Sequence, residues 1–242
     1  MREMRIDVFQ DADALAQAAA AIIAAQARAA IRARGRFVFA VSGGRTPGRM
    51  LRALTREEVP WHGVHVVQVD ERIAPLGHAD RNLTGLRENL LAHVPLRAEQ
   101  VHAMPVDSVD LADGAARYGQ MLAETAGSPP TFDLVHLGLG PDGHTASLVP
   151  GDSALDVTDA DVALTGVYQG RRRMTVTYPI LNRSRHILWV VTGHDKAEML
   201  VRLLAGDRAI PAGRVNRTEA QLLADGAAAG QPDPAPVMDV SP

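Results

Sequence analysis

The sequence has 242 residues, and its 25 Lys and Arg against 28 Asp and Glu give a formal net charge of −3 at pH 7. A chain of this length and of ordinary globular composition needs no staples to fold, and one domain is expected rather than a disordered, coiled-coil or nucleic-acid-binding chain. It contains no cysteine, which excludes thiolate nucleophiles, disulfides and cysteine-ligated metal sites.

Apolar runs of strand length alternate with helical patterns in the first half of the chain. Residues 37–41 are apolar on both faces, as in a strand buried within a parallel sheet. In chain order the patterns predict a strand over 5–10, a helix from its cap Asp11 to about Arg34 with Gly35 ending it, the strand 37–41, a helix with Thr46 as cap and Pro47 in its first position, a strand over 64–72 and a helix over 82–94.

The second half repeats this alternation. Two of its apolar runs contain His136 and Trp189, which are expected in the core. The patterns predict a helix over about 110–126, a strand over 132–140, strands over 161–169 and 173–179 that form an antiparallel hairpin or an edge extension, a strand over 186–193 and a helix over 195–206.

This order of elements predicts an α/β fold. We expect a doubly wound, mostly parallel, Rossmann-like sheet with helices on both faces and a small extra strand region, in one domain over 1–225. Residues 226–242 are rich in Ala, Gly and Pro, which predicts a flexible tail.

The remaining composition bears on location and partners. The apolar stretch 18–25 is too short and too rich in alanine for a membrane span, and it follows no signal-peptide pattern. The histidines show no spacing typical of metal ligands. We therefore expect a cytoplasmic protein without a metal, a membrane partner or a nucleic-acid partner.

The loop after strand 37–41 is the first candidate site. Ser42, Gly43 and Gly44 offer backbone N–H groups beside a helix N-terminus, and Arg45 adds positive charge, which favours a phosphate. A tight strand-to-helix turn with a good cap explains these residues equally well. The spacing matches neither the GxxxxGK[ST] nor the GxGxxG loop, so nucleotide binding by those routes is not supported.

The segment GLGPDGHTASLVPG, residues 138–151, is the most specific motif. It presents His144 at the rim of the sheet, two residues after Asp142. Histidine titrates near neutral pH, and a nearby carboxylate can fix its tautomer, so this pair favours a general base. The alternative is a structural histidine that caps the following short helix.

Further charged residues follow other strands. Asp70 is suited to orient a hydroxyl or a catalytic group, and Arg72 to grip a phosphate, although a surface ion pair explains them equally well. Lys196 lies in the first turn of a helix, where a cation opposes the helix dipole, so an anionic ligand explains it better. Arg173 is kept as a cationic candidate, although a solvated edge is the simpler reading of the basic run 171–173.

Four segments occur in one order over about residues 37–215: SGGRTP, DER followed by ADRNLTGLRENLL, GLGPDGHTASLVPG, and RMTVTYPILNRSRHILWVVTGHDKAEML. Together they resemble the 6-phosphogluconolactonase family. The resemblance implies hydrolysis of 6-phospho-D-glucono-1,5-lactone to 6-phosphogluconate in the oxidative pentose phosphate pathway, with no metal or organic cofactor.

The resemblance also implies roles for individual residues. His144 activates water, with Asp142 beside it, and the only expected partner is the small sugar-phosphate lactone, bound by a monomer or weak homodimer. The expected substrate and phosphate residues are Ser42, Gly43, Gly44, Arg45, Asp70, Arg72, Asn82, Arg173 and Lys196.

Two other functions compete with this one. Glucosamine-6-phosphate deaminases resemble the chain in the glycine loop and the DGH segment, but they carry a glutamate where this chain has Val149, and an aliphatic side chain cannot relay a proton. A non-catalytic sugar-phosphate sensor would keep the anion loop alone, and the retention of Asp142 and His144 argues against it.

Overall fold

Strands and helices alternate along residues 4–231, which are the residues that the computed structural model describes. The strands are β1 (Arg5–Phe9), β2 (Phe37–Val41), β3 (Val64–Gln68), β4 (Asp70–Arg72), β5 (Val101–His102), β6 (Leu134–Leu137), β7 (Val162–Leu164), β8 (Arg173–Val176), β9 (Ile187–Val191) and β10 (Ala220–Asp225). The helices are α1 (Ala12–Arg34), α2 (Arg45–Leu54), α3 (Asn82–Asn89), α4 (Leu111–Ala126), α5 (Tyr178–Arg183) and α6 (Ala197–Ala205).

Seven of the strands form one parallel sheet in the order β1-β10-β9-β6-β2-β3-β5. All five residues of β2 and of β9 are buried, because helices cover both faces of the sheet. The core on one face includes Ile23 of α1, Met50 of α2 and Leu86 of α3. The core on the other face includes residues of α4, α5 and α6 together with Trp189. The predicted doubly wound architecture is confirmed.

Helix α1 shows how local sequence sets the limits of an element. The side chain of Asp11 accepts hydrogen bonds from the backbone N–H groups of Asp13 and Ala14, and Gly35 ends the helix with φ +73°, as predicted. By length and composition this helix could cross a membrane. Here, its face from Leu15 to Ala30 is buried in the core beside α2 and the sheet.

The strand order reverses between β2 and β6. From β2 the chain adds β3 and β5 on one side, and then β6, β9 and β10 follow on the other side. The carboxyl ends of β2 and β6 therefore flank the topological switch point, where doubly wound sheets bind ligands. The Ser42 loop follows β2 and the His144 loop follows β6, so the two most specific motifs meet at this crevice.

The prediction of one strand over 64–72 is wrong, because the chain changes sheets at Val69. The N–H of Val69 donates to the carbonyl of Val41 in the main sheet, whereas its own carbonyl accepts from Val176. Strand β4 then joins a separate three-stranded antiparallel sheet in the order β4-β8-β7. This sheet contains the predicted hairpin and is the small extra strand region.

Other predicted limits also need correction. Thr46 does not cap α2, which begins at Arg45 after Gly44, and its hydroxyl contacts that of Thr192 at 2.6 Å instead. The helix predicted over 82–94 ends at Asn89, and a 3-10 turn follows at Leu91–His93. The strand predicted over 173–179 ends at Val176, before α5, and α6 begins two residues later than predicted. Strands β5 and β10 were not predicted, and β6, β7 and β9 are shorter than their apolar runs.

The chain after β10 continues through a turn over 226–231. Ala228 is buried in the core, and its N–H donates to the side chain of Asp225. The rest of the segment predicted to be a flexible tail, 232–242, lies outside the described residues.

A buried carboxylate joins β4 to the start of α3. Glu71 is fully buried and accepts hydrogen bonds from the N–H groups of Arg72 (2.8 Å), Asn82 (2.7 Å) and Leu83 (2.9 Å). Helix α3 has no cap from its own N-cap side chain, so Glu71 supplies that cap from another element. The guanidinium of Arg81, 2% exposed, lies 3.1 Å from the same carboxylate.

We expect the Glu71→Ala substitution to lower the free energy of unfolding by about 3–5 kcal/mol, because it leaves the buried charge of Arg81 without its partner. Urea denaturation followed by circular dichroism measures this change. Glu99→Ala is the matched control, since Glu99 also pairs with an arginine but is exposed. A loss at Glu71 no larger than the loss at Glu99 would contradict the role of the buried pair.

Candidate active site

The loop after β2 is held from below by a buried histidine. The hydroxyl of Ser42 donates to the carbonyl of His136 at 2.9 Å, and the N–H of Ser42 points at Nδ1 of the same residue at 3.4 Å. Burial lowers the pKa of His136 to about 3, so this imidazole is neutral. His136 is a core residue as predicted, and it supports the loop without adding charge.

The glycines of the loop are needed for different reasons. A Cβ on Gly43 would overlap the side chain of Asn82, so the loop and α3 can approach closely only through glycine. Gly44 has φ +123°, a conformation that other residues rarely adopt, and it places its successor Arg45 at the first position of α2.

A cavity of about 640 Å³ opens between α2 and α3 at this loop. The guanidinium of Arg72 is held at its edge by the carbonyl of Asp80 (2.9 Å) and by Oδ1 of Asn82 (2.6 Å). Six of the predicted substrate residues line the cavity, together with further arginines of α2: Ser42, Gly43, Gly44, Arg45, Arg72 and Asn82, with Arg49 and Arg52. Such a cationic cavity is suited to an anionic ligand.

The predicted catalytic residues form a direct pair. Nδ1 of His144 lies 2.6 Å from Oδ1 of Asp142, and the His144 side chain is 20% exposed. A Cβ on Gly140 would overlap the imidazole, so a glycine is required beneath it. Burial opposes the ionisation of Asp142, but the hydrogen bonds and charge of His144, helped by Tyr168, outweigh it and lower the pKa of this carboxyl.

This geometry fixes the tautomer of His144. An ionised carboxylate only accepts hydrogen bonds, so Nδ1 carries the proton and donates it to Asp142. The lone pair is then on Nε2, which leaves that nitrogen free to accept a proton from a water molecule.

Asp70 connects the catalytic pair to the cavity. Its Oδ2 accepts from the hydroxyl of Ser147 at 2.7 Å, and its Oδ1 accepts from Nδ2 of Asn82 at 3.1 Å. Arg173 lies on the other side of Ser147, with Nη1 at 3.4 Å from its hydroxyl. Asp70 is therefore buried between the two motifs, where it orients side chains that face the crevice.

Lys196 and Arg173 are placed differently from the cavity residues. Lys196 does not line the cavity, and its ammonium pairs with Asp195 at 2.7 Å. The pKa of Asp195 is lowered mainly by Lys196 and also by the charge of Arg45. The hydrogen bond between Thr46 and Thr192 joins the loop after β9 to the start of α2. Lys196 thus borders the loop after β2, whereas Arg173 is buried beside the catalytic pair.

Three residues at the site were not predicted from the sequence. Ser147 links Asp70 to Arg173, Glu71 fixes the start of α3, and Tyr168 donates from its hydroxyl to Oδ2 of Asp142 at 2.9 Å. Glu71 lies in the DER motif and Ser147 in the segment 138–151. Their position within these motifs is the feature of the sequence that could have indicated a role at the site. Nothing in the local pattern around Tyr168 marks it.

No metal is indicated by the described part of the chain. Within residues 4–231, no three His, Cys, Asp or Glu side chains lie together in a way that could hold a metal ion. The chemistry available from the side chains present is general acid–base catalysis by His144 beside a cationic anion site.

Comparison with known proteins identifies the family to which the chain is similar. The family model for glucosamine-6-phosphate isomerases/6-phosphogluconolactonase matches residues 10–224. A 6-phosphogluconolactonase of Synechocystis sp. is 36% identical, with 83% of this chain and 85% of the relative covered. A 6-phosphogluconolactonase of Mycobacterium tuberculosis is 35% identical, with 93% and 97% covered.

Solved structures show the same fold. The 6-phosphogluconolactonase from Trypanosoma brucei superposes with a TM-score of 0.83 at 25% identity, covering 95% of this chain and 99% of that one. A monomeric glucosamine-6-phosphate deaminase superposes with a TM-score of 0.82 at 21% identity, covering 95% and 100%. With the family model matching most of its length, the chain belongs to the glucosamine-6-phosphate isomerase/6-phosphogluconolactonase family.

Proposed function

We propose that this protein is a 6-phosphogluconolactonase, which hydrolyses 6-phospho-D-glucono-1,5-lactone to 6-phosphogluconate in the oxidative pentose phosphate pathway. The observation that carries the proposal is the Asp142–His144 pair, with Nδ1 2.6 Å from the carboxylate and Nε2 without a hydrogen bond among the described residues. Asp70 links the loop of this pair to a cationic cavity at the switch point of the sheet. Relatives of that name, at about 35% identity over most of the chain, support it.

The histidine acts in both halves of the reaction. Nε2 of His144 takes a proton from water as the water attacks the lactone carbonyl, and Asp142 stabilises the imidazolium that forms. The positive charge of Arg173 favours the oxyanion of the tetrahedral intermediate. His144 then returns the proton to the ring oxygen as the ester bond breaks, so the open acid leaves and the enzyme is restored.

The phosphate of the substrate anchors it away from the reacting carbonyl. The N–H groups of Gly43 and Gly44, the first turn of α2 and the guanidinium of Arg72 are the groups proposed to hold it, because the N–H of Ser42 is directed at His136. Lys196 adds positive charge from the neighbouring loop. Binding energy spent on this remote group positions the lactone against His144, which converts affinity into rate.

The deaminase alternative lacks a necessary group. The deaminases resemble the chain in this segment but carry a glutamate at the position of Val149. In this chain Val149 is buried and aliphatic. The likeness to the solved deaminase extends to the fold alone, which hosts both activities. Cytoplasmic location and a monomer or weak homodimer stay predictions.

Replacing the base is the first test. We expect His144→Ala to lower kcat by roughly 10²- to 10⁴-fold, the usual contribution of a general base, while the protein stays folded. The measurement is acid release from freshly generated 6-phosphogluconolactone, corrected for spontaneous hydrolysis. His62→Ala is the control, since His62 is exposed at the opposite end of β3.

Three results would overturn the assignment. A wild-type rate equal to the spontaneous background while the sugar phosphate still binds would favour a sensor. Equal rates for wild type and His144→Ala, both above background, would remove His144 as the base. Ammonia release from glucosamine 6-phosphate would favour the deaminase.

The phosphate anchor gives a second test. For Arg72→Ala we expect KM for the phosphorylated lactone to rise about 10- to 100-fold, as for the loss of roughly 1.5–3 kcal/mol from a charged hydrogen bond. Turnover of unphosphorylated glucono-1,5-lactone should change little, because that substrate has no phosphate to lose contact with. Steady-state kinetics on both lactones measure the difference, with Arg117→Ala as control because Arg117 is exposed on α4, paired with Asp113, and does not line the cavity. Equal losses on both lactones would show that Arg72 does not bind the phosphate.

A further inference from the structure

We propose that Tyr168 is a positioning residue for lactone hydrolysis, which locks the Asp142–His144 pair in its reactive orientation. The expected effect on the kinetics rests on the proposed function. The expected effect on the orientation of the pair rests only on the geometry of the hairpin between β7 and β8. Tyr168 lies at the tip of that hairpin and belongs to neither of the two motifs that meet at the switch point.

The hydroxyl of Tyr168 contacts both members of the pair. It donates to Oδ2 of Asp142 at 2.9 Å and lies 3.3 Å from Nδ1 of His144. Burial and the neighbouring carboxylate raise the pKa of Tyr168 to about 12, so the hydroxyl is a donor at neutral pH. With Oδ2 held by Tyr168 and Oδ1 bound to Nδ1, the carboxylate of Asp142 cannot rotate without losing a hydrogen bond.

The ring of Tyr168 limits the motion of the imidazole as well. The two ring centroids are 5.4 Å apart at an interplanar angle of 66°, an edge-to-face contact. The ring also lies against Arg173, whose guanidinium carbon is 4.9 Å from the ring centroid. His144 is thus held by a carboxylate at one nitrogen and by an aromatic wall beside it.

The hairpin tip is itself anchored, which allows Tyr168 to act as a fixed support. The backbone groups of Tyr168 and Arg171 bond to each other across the turn, and Gln169 between them has φ +50°. The guanidinium of Arg171 pairs with Asp80 at 2.8 Å, in the loop that leads into α3. The side chain of Gln169 bridges the Tyr168 hydroxyl and Arg173, at 3.3 Å from each.

Removing only the hydroxyl predicts a defined kinetic change. Besides the charge of Asp142 within the pair, the nearest charged group is Arg173. Asp70 and Arg72 lie beyond Arg173. Tyr168 is the smallest of the interactions that lower the pKa of Asp142, so its loss raises that pKa, and on acidification the carboxylate stops supporting His144 at a higher pH. The pair also samples unreactive orientations, and the rate falls while phosphate binding stays intact.

The experiment compares Tyr168→Phe with Tyr178→Phe. The Tyr178 hydroxyl also makes a partly buried hydrogen bond, to the carbonyl of Pro211 at 2.9 Å, and among the described residues it bonds to neither Asp142 nor His144. For Tyr168→Phe we expect kcat to fall about tenfold, less than the roughly hundredfold that a 1 Å misplacement can cost, with KM unchanged. The acid limb of kcat/KM should move to higher pH, and Tyr178→Phe should match wild type in all three quantities.

A second readout needs no substrate. The ¹⁵N signals of the His144 imidazole, assigned by their loss in His144→Ala, should report a single tautomer protonated at Nδ1 in wild type and a tautomer mixture in Tyr168→Phe. Unchanged spectra, or a lower kcat with an unmoved pH profile, would overturn the proposal and leave the lactonase assignment standing. Absence of lactonase activity in wild type would remove the function, while the spectra would still decide whether Tyr168 orients the pair.

Discussion

One buried carboxylate organises the side of the crevice that contains the cationic cavity. Glu71 accepts three backbone N–H groups and pairs with Arg81, so it ties strand β4 to the start of α3. Asn82, the first residue of that helix, then contacts Arg72, Asp70 and the Gly43 backbone. Moving Glu71 would move each of these groups, since buried charges tolerate little displacement from their partners.

The two halves of the site meet because the sheet reverses between β2 and β6. Each half alone is an ordinary strand-to-helix or strand-to-turn connection. Asp70 joins them by accepting from Asn82 on one side and from Ser147 on the other. The small antiparallel sheet supplies both Asp70 and the hairpin of Tyr168, so it connects the cavity to the Asp142–His144 pair.

Much of the fold could be predicted because burial leaves a periodic record in the sequence. Residues 37–41 and the capped helix from Asp11 to Gly35 are confirmed, since their patterns are long and their caps local. The break at Val69 left no such record, because both sheets bury that residue, and β5 is two residues long. Most predicted site residues lie at the crevice. Tyr168 is brought to the crevice by the pairing of β7 with β8, and the spacing of residues in the sequence does not predict that pairing.

Two histidines near the switch point show that the degree of burial gives the same type of side chain two different roles. His136 is fully buried and neutral, so it supports the loop after β2 without adding charge to it. His144 lies in the loop that follows the strand of His136. Its side chain is one-fifth exposed and is held by an ionised carboxylate, so it is suited to take and return a proton. The net charge of −3 gives no sign of this arrangement, in which several arginines line one cavity while Asp70 and Glu71 are buried next to it. The chemistry therefore follows from where each charge is buried rather than from how many there are.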